Sequence, residues 1–252
     1  VREQIRIASG LPLSIKQEDI HHQGFAIQFR INAEDPKNNF FPSFGKITRY
    51  YAPGGPGVRV DTAIYTGYTI PPHYDSMIAK TIVKSRDREN AIAILSESLG
   101  GSVVAGIPCN IGFLKRCLDH DIFRAGQHHV NWIAEEIATL TTPDESKRKA
   151  AAELVAQALL HPVDNGPWDI TDGWRMNAGP HRHVRLKVDG DVMDLSPEPT
   201  HMPPAWQVEV MTDHSYAVSA DGDTVLVDVP DYEAEAEAIA GGDKVNAPMP
   251  GK

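Results

Sequence analysis

The chain has little cysteine and no long apolar run. Its two cysteines, Cys109 and Cys117, form neither a metal-binding pair nor a disulfide framework, which predicts a reducing, cytoplasmic location. No run of about 18 apolar residues occurs, so we predict no membrane-spanning helix. The opening stretch VREQIRIASG reads as the end of a helix and has no signal-peptide core. We therefore expect further sequence upstream of it.

Positive charge is scarce in the second half of the chain. Residues 1–140 hold 15 Lys and Arg against 14 Asp and Glu, whereas residues 141–252 hold 9 against 20. Nucleic-acid phosphates attract the opposite sign of charge, so we predict no nucleic-acid partner. The change in composition predicts a domain boundary near residue 140.

Strand and helix patterns fall in separate runs over residues 1–140. Apolar residues alternate in AIQFRI, which predicts a half-buried strand. In SRDRENAIAILSESL, Ala91, Leu95 and Leu99 recur at every fourth position and Gly100-Gly101 follows, which predicts a helix and its end. Strands and helices in separate runs indicate an α+β fold with an antiparallel sheet.

A helix followed by short strands is predicted for residues 141–240. Good helix formers fill the stretch from Thr142 to Leu160, and Asp-Gly pairs at Asp189-Gly190 and Asp221-Gly222 mark two hairpins. One helix followed by several antiparallel strands predicts a small β-barrel or sandwich domain. Residues 241–252 then form a separate, third segment.

Arg30 lies inside the alternating strand of GFAIQFRINAEDP, residues 24–36. A guanidinium is costly to desolvate, so an arginine in a half-buried strand needs a partner. On position alone, Arg30 either points outward and has a structural role on the sheet surface, with an ion pair to Glu34 or Asp35, or is held in place to meet an anion.

Other motifs carry weaker signals. The glycine-rich stretch APGGPGVR lacks the Lys-Ser/Thr and the following helix of a phosphate-binding loop, so a rigid turn is the better interpretation. The histidines have no metal-ligand spacing, so we predict no metal site. Asp75, beside an apolar strand, fits a turn-capping role.

Several ordered motifs resemble one known family. GFAIQFRINAEDP, SFGKITRYYAPGGPGVRVD, GYTIPPHYDSMIAK and GIPCNIGFLKRCLDHDIFRAG together resemble the C-terminal domain of biotin carboxylases, over about the first 135 residues. The resemblance implies an ATP-grasp architecture and a ligase that carboxylates biotin with ATP, Mg²⁺ and bicarbonate. The family's ATP-binding and metal-binding residues lie in sequence that would precede Val1.

The resemblance also implies roles for four residues. Arg30 matches the family arginine that contacts biotin and the bicarbonate-derived species and stabilises the biotin enolate, so it is the expected catalytic residue. Glu34 and Asp75 are expected to support it from the same motifs. Arg59 matches an arginine near the subunit interface of dimeric biotin carboxylases, which implies a homo-oligomeric α subunit.

The second half resembles a subunit-docking region. DGWRMNAGPHRHVRLKVDGD is similar to the segment after biotin carboxylase in α subunits of acyl-CoA carboxylases, where a helix and β-barrel bind the carboxyltransferase β subunit. VNAPMPGK resembles the start of a biotin carboxyl carrier domain, whose biotinylated lysine would lie beyond Lys252. We expect part of a biotin carboxylase subunit, inactive alone. The alternative is a non-catalytic assembly module.

Overall fold

The computed structural model describes residues 1–160, 183–197, 206–212 and 214–232. The helices are α1 (Arg2–Ala8), α2 (Arg88–Gly100), α3 (Ile111–Asp119), α4 (Asp121–Arg124), α5 (Trp132–Glu135), α6 (Ile137–Thr141) and α7 (Glu145–Leu160). The strands are β1 (Phe25–Asn32), β2 (Glu34–Asp35), β3 (Phe41–Pro42), β4 (Gly45–Lys46), β5 (Arg49–Tyr51), β6 (Val58–Thr62), β7 (Thr69–Ile70), β8 (Met77–Ser85), β9 (Val103–Ala105), β10 (Val184–Val188), β11 (Asp191–Leu195), β12 (Gln207–Thr212), β13 (Ser215–Ala220) and β14 (Asp223–Asp228).

The main sheet of the first half is antiparallel, with strand order β1-β8-β6. The predicted strand and helix are both confirmed, as β1 and α2. Helix α2 starts at Asp87, whose carboxylate accepts a hydrogen bond from the backbone N–H of Asn90, and it buries Ala91, Leu95 and Leu99. These side chains share one core with Ile31 and Val83 of the sheet. The sheet therefore has one face covered by α2 and one open face.

The second half is a five-stranded antiparallel sheet packed on α7, with strand order β11-β10-β14-β13-β12. Both predicted hairpin turns are confirmed, and the pairs Asp189-Gly190 and Asp221-Gly222 have positive φ at both residues. Small residues on α7 allow the sheet to approach closely: Ala151, Ala152, Val155 and Ala156 are buried against Leu186, Val188, Val218 and Val227. Strands β11 and β12 lie at opposite edges and do not pair within the described ranges, so a sheet is shown and a closed barrel is not.

The turn between β13 and β14 joins the two halves. Asp223 accepts a hydrogen bond from Arg116 of α3 at 2.8 Å, and Asp221 lies 3.3 Å from Lys115. Lys147 of α7 approaches both carboxylates at 3.4 Å. Acidic residues of the second half thus meet basic residues of the first.

A glycine makes room for this contact. A Cβ atom added to Gly112, in the first turn of α3, would overlap the carboxylate of Asp223.

A cavity of about 270 Å³ lies beside the turn between β13 and β14. It is lined by Cys109, Phe113, Arg116 and residues of the second sheet. Two ion pairs line it: Lys37 lies 2.6 Å from Asp189, and Arg116 lies 2.8 Å from Asp223.

Some predicted segments lie outside the described residues. They include most of DGWRMNAGPHRH and all of residues 233–252, with the stretch VNAPMPGK. In the described part of the chain, no helix is both long enough and apolar enough to cross a bilayer.

Candidate functional site

Arg30 lies on the open face of the β1-β8-β6 sheet. Strand β1 alternates, so that Ile27, Phe29 and Ile31 pack toward the core while Arg30 is exposed. The alternative of an ion pair with Glu34 or Asp35 is wrong, because no such pair forms among the described residues and both carboxylates are bonded elsewhere. Arg30 is exposed and its guanidinium faces outward, which was one of the two alternatives for this position.

The backbone of Arg30 is fixed by a side chain from another element. Asn110, which precedes α3 and is 6% exposed, donates from Nδ2 to the carbonyl oxygen of Arg30 at 3.2 Å. Its Oδ1 accepts the N–H of Asn32 at 2.9 Å, and its own N–H donates to the Asn32 carbonyl at 3.2 Å. Asn110 therefore binds the backbone of both Arg30 and Asn32 at the end of β1. Sequence reasoning missed it, because an asparagine before a helix reads as a cap.

Glu34 and Asp75 lie close together at the end of β1. The Oε1 atom of Glu34 accepts hydrogen bonds from Ser76 Oγ at 2.5 Å and from Asn32 Nδ2 at 3.2 Å. Asp75 precedes Ser76 and accepts the N–H of Met77 at 2.8 Å, which is the turn-capping bond expected from its position. The Oδ1 atom of Asn32 is buried and has no hydrogen-bond partner within the described ranges. Glu34 is thus linked to the backbone carbonyl of Arg30 through Asn32 and Asn110, whereas the hydrogen bond of Asp75 is confined to its own turn.

Arg59 lies on the same open face, two strands away. Its Nε donates to Asp61 Oδ1 at 2.8 Å, and this hydrogen bond raises the pKa of Arg59 above its usual value. Both side chains are largely exposed. The structure therefore places Arg30 and Arg59 on one surface, each with a different charge environment.

One lysine on this face was also missed by sequence reasoning. Lys80 of β8 is the cross-strand partner of Arg30 on one side and of Asp61 on the other. Directly opposed residues share a face of an antiparallel sheet, so all three side chains lie on the open face. No local pattern could have indicated this pairing, since it depends on strand register.

The glycine-rich loop serves chain packing. Gly57 has a φ of +80°, and a Cβ atom there would lie 2.6 Å from the backbone oxygen of Lys84. A glycine is needed at this turn, in agreement with the rigid-turn interpretation. In the part of the chain that the structure describes, no three His, Cys, Asp or Glu residues are grouped to hold a metal ion.

Two family models match the chain in succession. Residues 28–135 match the biotin carboxylase C-terminal domain, and residues 143–246 match the BT domain of the methylcrotonyl-CoA carboxylase α-subunit. Both Arg30 and Asn110 fall inside the first match. The junction between the matches lies next to α7.

Individual relatives agree with the first match. Biotin carboxylase 1 of Bacillus subtilis is 49% identical over 133 residues, which are 53% of this chain and 30% of that protein. The biotin carboxylase of Haemophilus influenzae is 47% identical over 137 residues, 54% of this chain and 30% of that protein. The chain thus spans less than a third of these relatives.

A solved structure shares the fold. The biotin carboxylase domain dimer of Hydrogenobacter thermophilus 2-oxoglutarate carboxylase, in complex with MgADP, ADP and bicarbonate, is 41% identical with a TM-score of 0.52. The similarity covers 56% of this chain and 31% of that one. Residues 28–135 are therefore similar to a biotin carboxylase C-terminal domain, and residues 143–246 are similar to the BT domain of the methylcrotonyl-CoA carboxylase α-subunit.

Proposed function

We propose that this chain is part of the biotin carboxylase subunit of an acyl-CoA carboxylase and supplies the biotin-side wall of its active site. The observation that carries the proposal is the state of Arg30. Its guanidinium is exposed and unpaired among the described residues, while Asn110 holds its backbone. An available cation on an open face, carried by a strand whose backbone is held in place, fits an anionic ligand.

Arg30 is the proposed catalytic residue. A guanidinium stays charged at every working pH and offers a rigid fork of donors to an oxyanion. When bound, biotin supplies the ureido nitrogen that receives the carboxyl group. Arg30 would stabilise the negative charge that develops on the ureido oxygen and orient the bicarbonate-derived group. Preorganised donors of this kind act mainly in the transition state.

Glu34 and Asp75 are proposed to support Arg30. Glu34 holds Asn32 and Ser76, so it fixes the strand end that follows Arg30. Asp75 closes the turn that leads into β8. Neither carboxylate contacts Arg30, so both would act through the backbone geometry of the site.

ATP and Mg²⁺ are the other proposed cofactors. The described residues show no acidic cluster that fits a metal ion, so we propose that ATP and Mg²⁺ bind to ATP-grasp residues outside this chain. On this proposal, the 252-residue chain alone releases no phosphate from ATP in response to biotin. The glycine-rich loop is expected to give it no ATP affinity.

The second half is proposed to be a docking domain for the carboxyltransferase β subunit. The BT-domain match over residues 143–246 supports an acyl-CoA carboxylase over a pyruvate carboxylase. We propose domains at 1–140, 141–240 and 241–252, with the second closing into a small β-barrel and the third beginning a biotin carboxyl carrier domain. 3-Methylcrotonyl-CoA is the first acceptor to assay. The cytoplasmic location stays a prediction.

Arg59 is proposed to lie at the interface of a homo-oligomeric α subunit. It is exposed beside Asp61 on the open face, and the Hydrogenobacter thermophilus relative is described as a dimer. Changing Arg59→Glu would place two acids together at that interface. The oligomer should then dissociate in size-exclusion chromatography with light scattering, whereas an unchanged mass would contradict the assignment.

The decisive experiment uses an α subunit that joins these residues to an ATP-grasp segment. Arg30→Ala should lower kcat for biotin carboxylation about 100- to 1000-fold, as expected for loss of an oxyanion donor. Arg2→Ala, on exposed helix α1, is the matched control and should keep full activity. The readout is biotin-dependent ADP release at saturating ATP and bicarbonate.

The alternative function is a non-catalytic assembly module. The ionic contacts between the two halves support this alternative, because halves that are held together could serve docking alone. An Arg30→Ala variant with full carboxylation rate would support this alternative. Loss of rate with retained β-subunit binding would support catalysis.

A further inference from the structure

We infer that Lys80 forms, together with Arg30, a two-cation site for a small planar oxyanion of the carbonate class. This inference rests on the proposed function for the identity of the ligand. The structural argument uses only residues on the open face of the sheet. Lys80 has no part in the function proposed above, which assigns the chemistry to Arg30 alone.

The first argument is register. Arg30 and Lys80 are directly opposed across β1 and β8. Opposed residues in an antiparallel pair have Cβ atoms about 4.5–5.5 Å apart, and like charges at such positions are destabilising. Across β1 and β8, the two cations repel each other, and an anion bound between them would remove this repulsion.

The second argument is the state of the nearest acid. Asp61 is opposed to Lys80 on its other side, but its Oδ1 accepts the Nε hydrogen of Arg59 at 2.8 Å. No ion pair joins Lys80 to Asp61, and neither Lys80 nor Arg30 has an ionic partner in the described part of the chain. Within the described ranges, no ion pair therefore neutralises either cation.

The third argument compares two lysines of the same strand and face. Lys84, four residues after Lys80, is exposed, whereas Lys80 is half-buried. Lys80 is directly opposed to Arg30, whereas Lys84 is opposed to Ala26. Of these two lysines, Lys80 is therefore the one placed to share an anion with Arg30.

The chemistry of the two groups selects the ligand. Arg30 offers a planar fork that matches two oxygens of a carboxylate or carbonate, and Lys80 offers a point charge that can reach the third oxygen or the edge of the group. A planar oxyanion with three oxygens satisfies both. Lys80 is thus assigned as an additional ligand-contacting residue of the Arg30 site.

The activity test uses the α subunit joined to an ATP-grasp segment. Lys80→Gln should lower kcat/KM for bicarbonate in biotin carboxylation about 10- to 100-fold, with KM for ATP unchanged. Lys80→Arg should restore most of the loss, because it returns the charge. Lys84→Gln is the matched control and should stay within about twofold of the wild type. A Lys80→Gln variant equal to Lys84→Gln would overturn the inference.

The second readout does not depend on catalysis. Sodium bicarbonate is titrated into the 252-residue chain against sodium chloride at constant ionic strength, while NMR follows the side-chain signals of Arg30 and Lys80. In the wild-type chain, we expect the signals of Arg30 and Lys80 to shift and reach saturation as bicarbonate is added. In the Lys80→Gln variant, the shift of the Arg30 signal should no longer saturate. Shifts that stay linear or match chloride alone would overturn the site. An inactive wild-type subunit would instead reject the proposed function, leaving the titration to decide on Lys80.

Discussion

The side-chain amide of Asn110 donates a hydrogen bond to the backbone carbonyl of Arg30 at 3.2 Å, although 80 residues separate them in the chain. The same side chain accepts the N–H of Asn32. The start of α3 therefore fixes the strand that carries Arg30. The orientation of the proposed catalytic arginine depends on a residue far from it in sequence.

Replacing Asn110 by Ala should destabilise the fold. The change removes the hydrogen bonds to the carbonyl of Arg30 and the N–H of Asn32 in a partly buried site, and an unsatisfied group there costs about 1–3 kcal/mol. Urea unfolding followed by circular dichroism measures the loss. Asn131→Ala, at an exposed position, should stay within about 0.5 kcal/mol of the wild type. Equal stability of the two variants would contradict the role of Asn110.

Replacing Gly112 by Ala should lower stability, although alanine is normally favoured over glycine in a helix by roughly 1 kcal/mol. The added methyl group displaces the Asp223 carboxylate from Arg116. In an Asp223→Ala background the same change should be neutral or stabilising. A double-mutant cycle from urea unfolding tests the reversal, and Gly54→Ala, with open space around its Cβ position, is the control. A cycle without coupling would reject the contact.

Replacing Asp144 by Ala should destabilise α7 in a pH-dependent way. Its carboxylate accepts hydrogen bonds from Ser146 Oγ at 2.6 Å and from the N–H groups of Ser146 and Lys147, and the Ser146 hydroxyl is the main cause that lowers the pKa of Asp144. Loss of such a cap costs about 1 kcal/mol at neutral pH.

The direction of this pH dependence follows from the lowered pKa of Asp144. The stabilisation is complete above the usual carboxyl pKa of 3.8 and is lost as the pH falls further, through the lowered folded-state value. The stability difference between wild type and Asp144→Ala should therefore narrow between pH 4 and pH 2, measured by urea unfolding. Asp121→Ala, an exposed acid, serves as the control. A constant difference over that range would contradict the charge-dependent cap.

The two cysteines should resist alkylation in the folded chain. Burial raises the pKa of Cys109 to about 11 and that of Cys117 to about 12, so the reactive thiolate is scarce at pH 8. Iodoacetamide labelling followed by mass spectrometry should be slow in native buffer and fast in guanidinium. Cys117, 4% exposed, should label after the half-buried Cys109. Native labelling of Cys117 at the unfolded rate would contradict this burial.

Local sequence patterns were sufficient to predict helix α2 and both hairpin turns, but not the contacts around Arg30. The spacing of Ala91, Leu95 and Leu99 and the Asp-Gly turns depend on neighbours in sequence, and the structure confirms the helix and both hairpins. Lys80 meets Arg30 only through strand register, and Asn110 reaches Arg30 only through tertiary packing. Neither relationship leaves a pattern in a single sequence.

The prediction of an ion pair between Arg30 and Glu34 or Asp35 was wrong for a similar reason. Glu34 and Asp35 are near in sequence, but the chain turns after β1 and gives each carboxylate another donor. Ser76 Oγ donates to Glu34, and the N–H of Lys37 donates to Asp35. Proximity in sequence overestimates contact wherever a strand ends in a turn.

The close approach of Asp223 to Gly112 constrains how this protein can evolve. Gly112 lies in the first half of the chain and Asp223 in the second, yet a larger side chain at position 112 requires the Asp223 side chain to shrink or move. Homologues that keep this arrangement should therefore show correlated substitution at the two positions. Where the two halves are recombined between relatives, a mismatch at this pair should separate them.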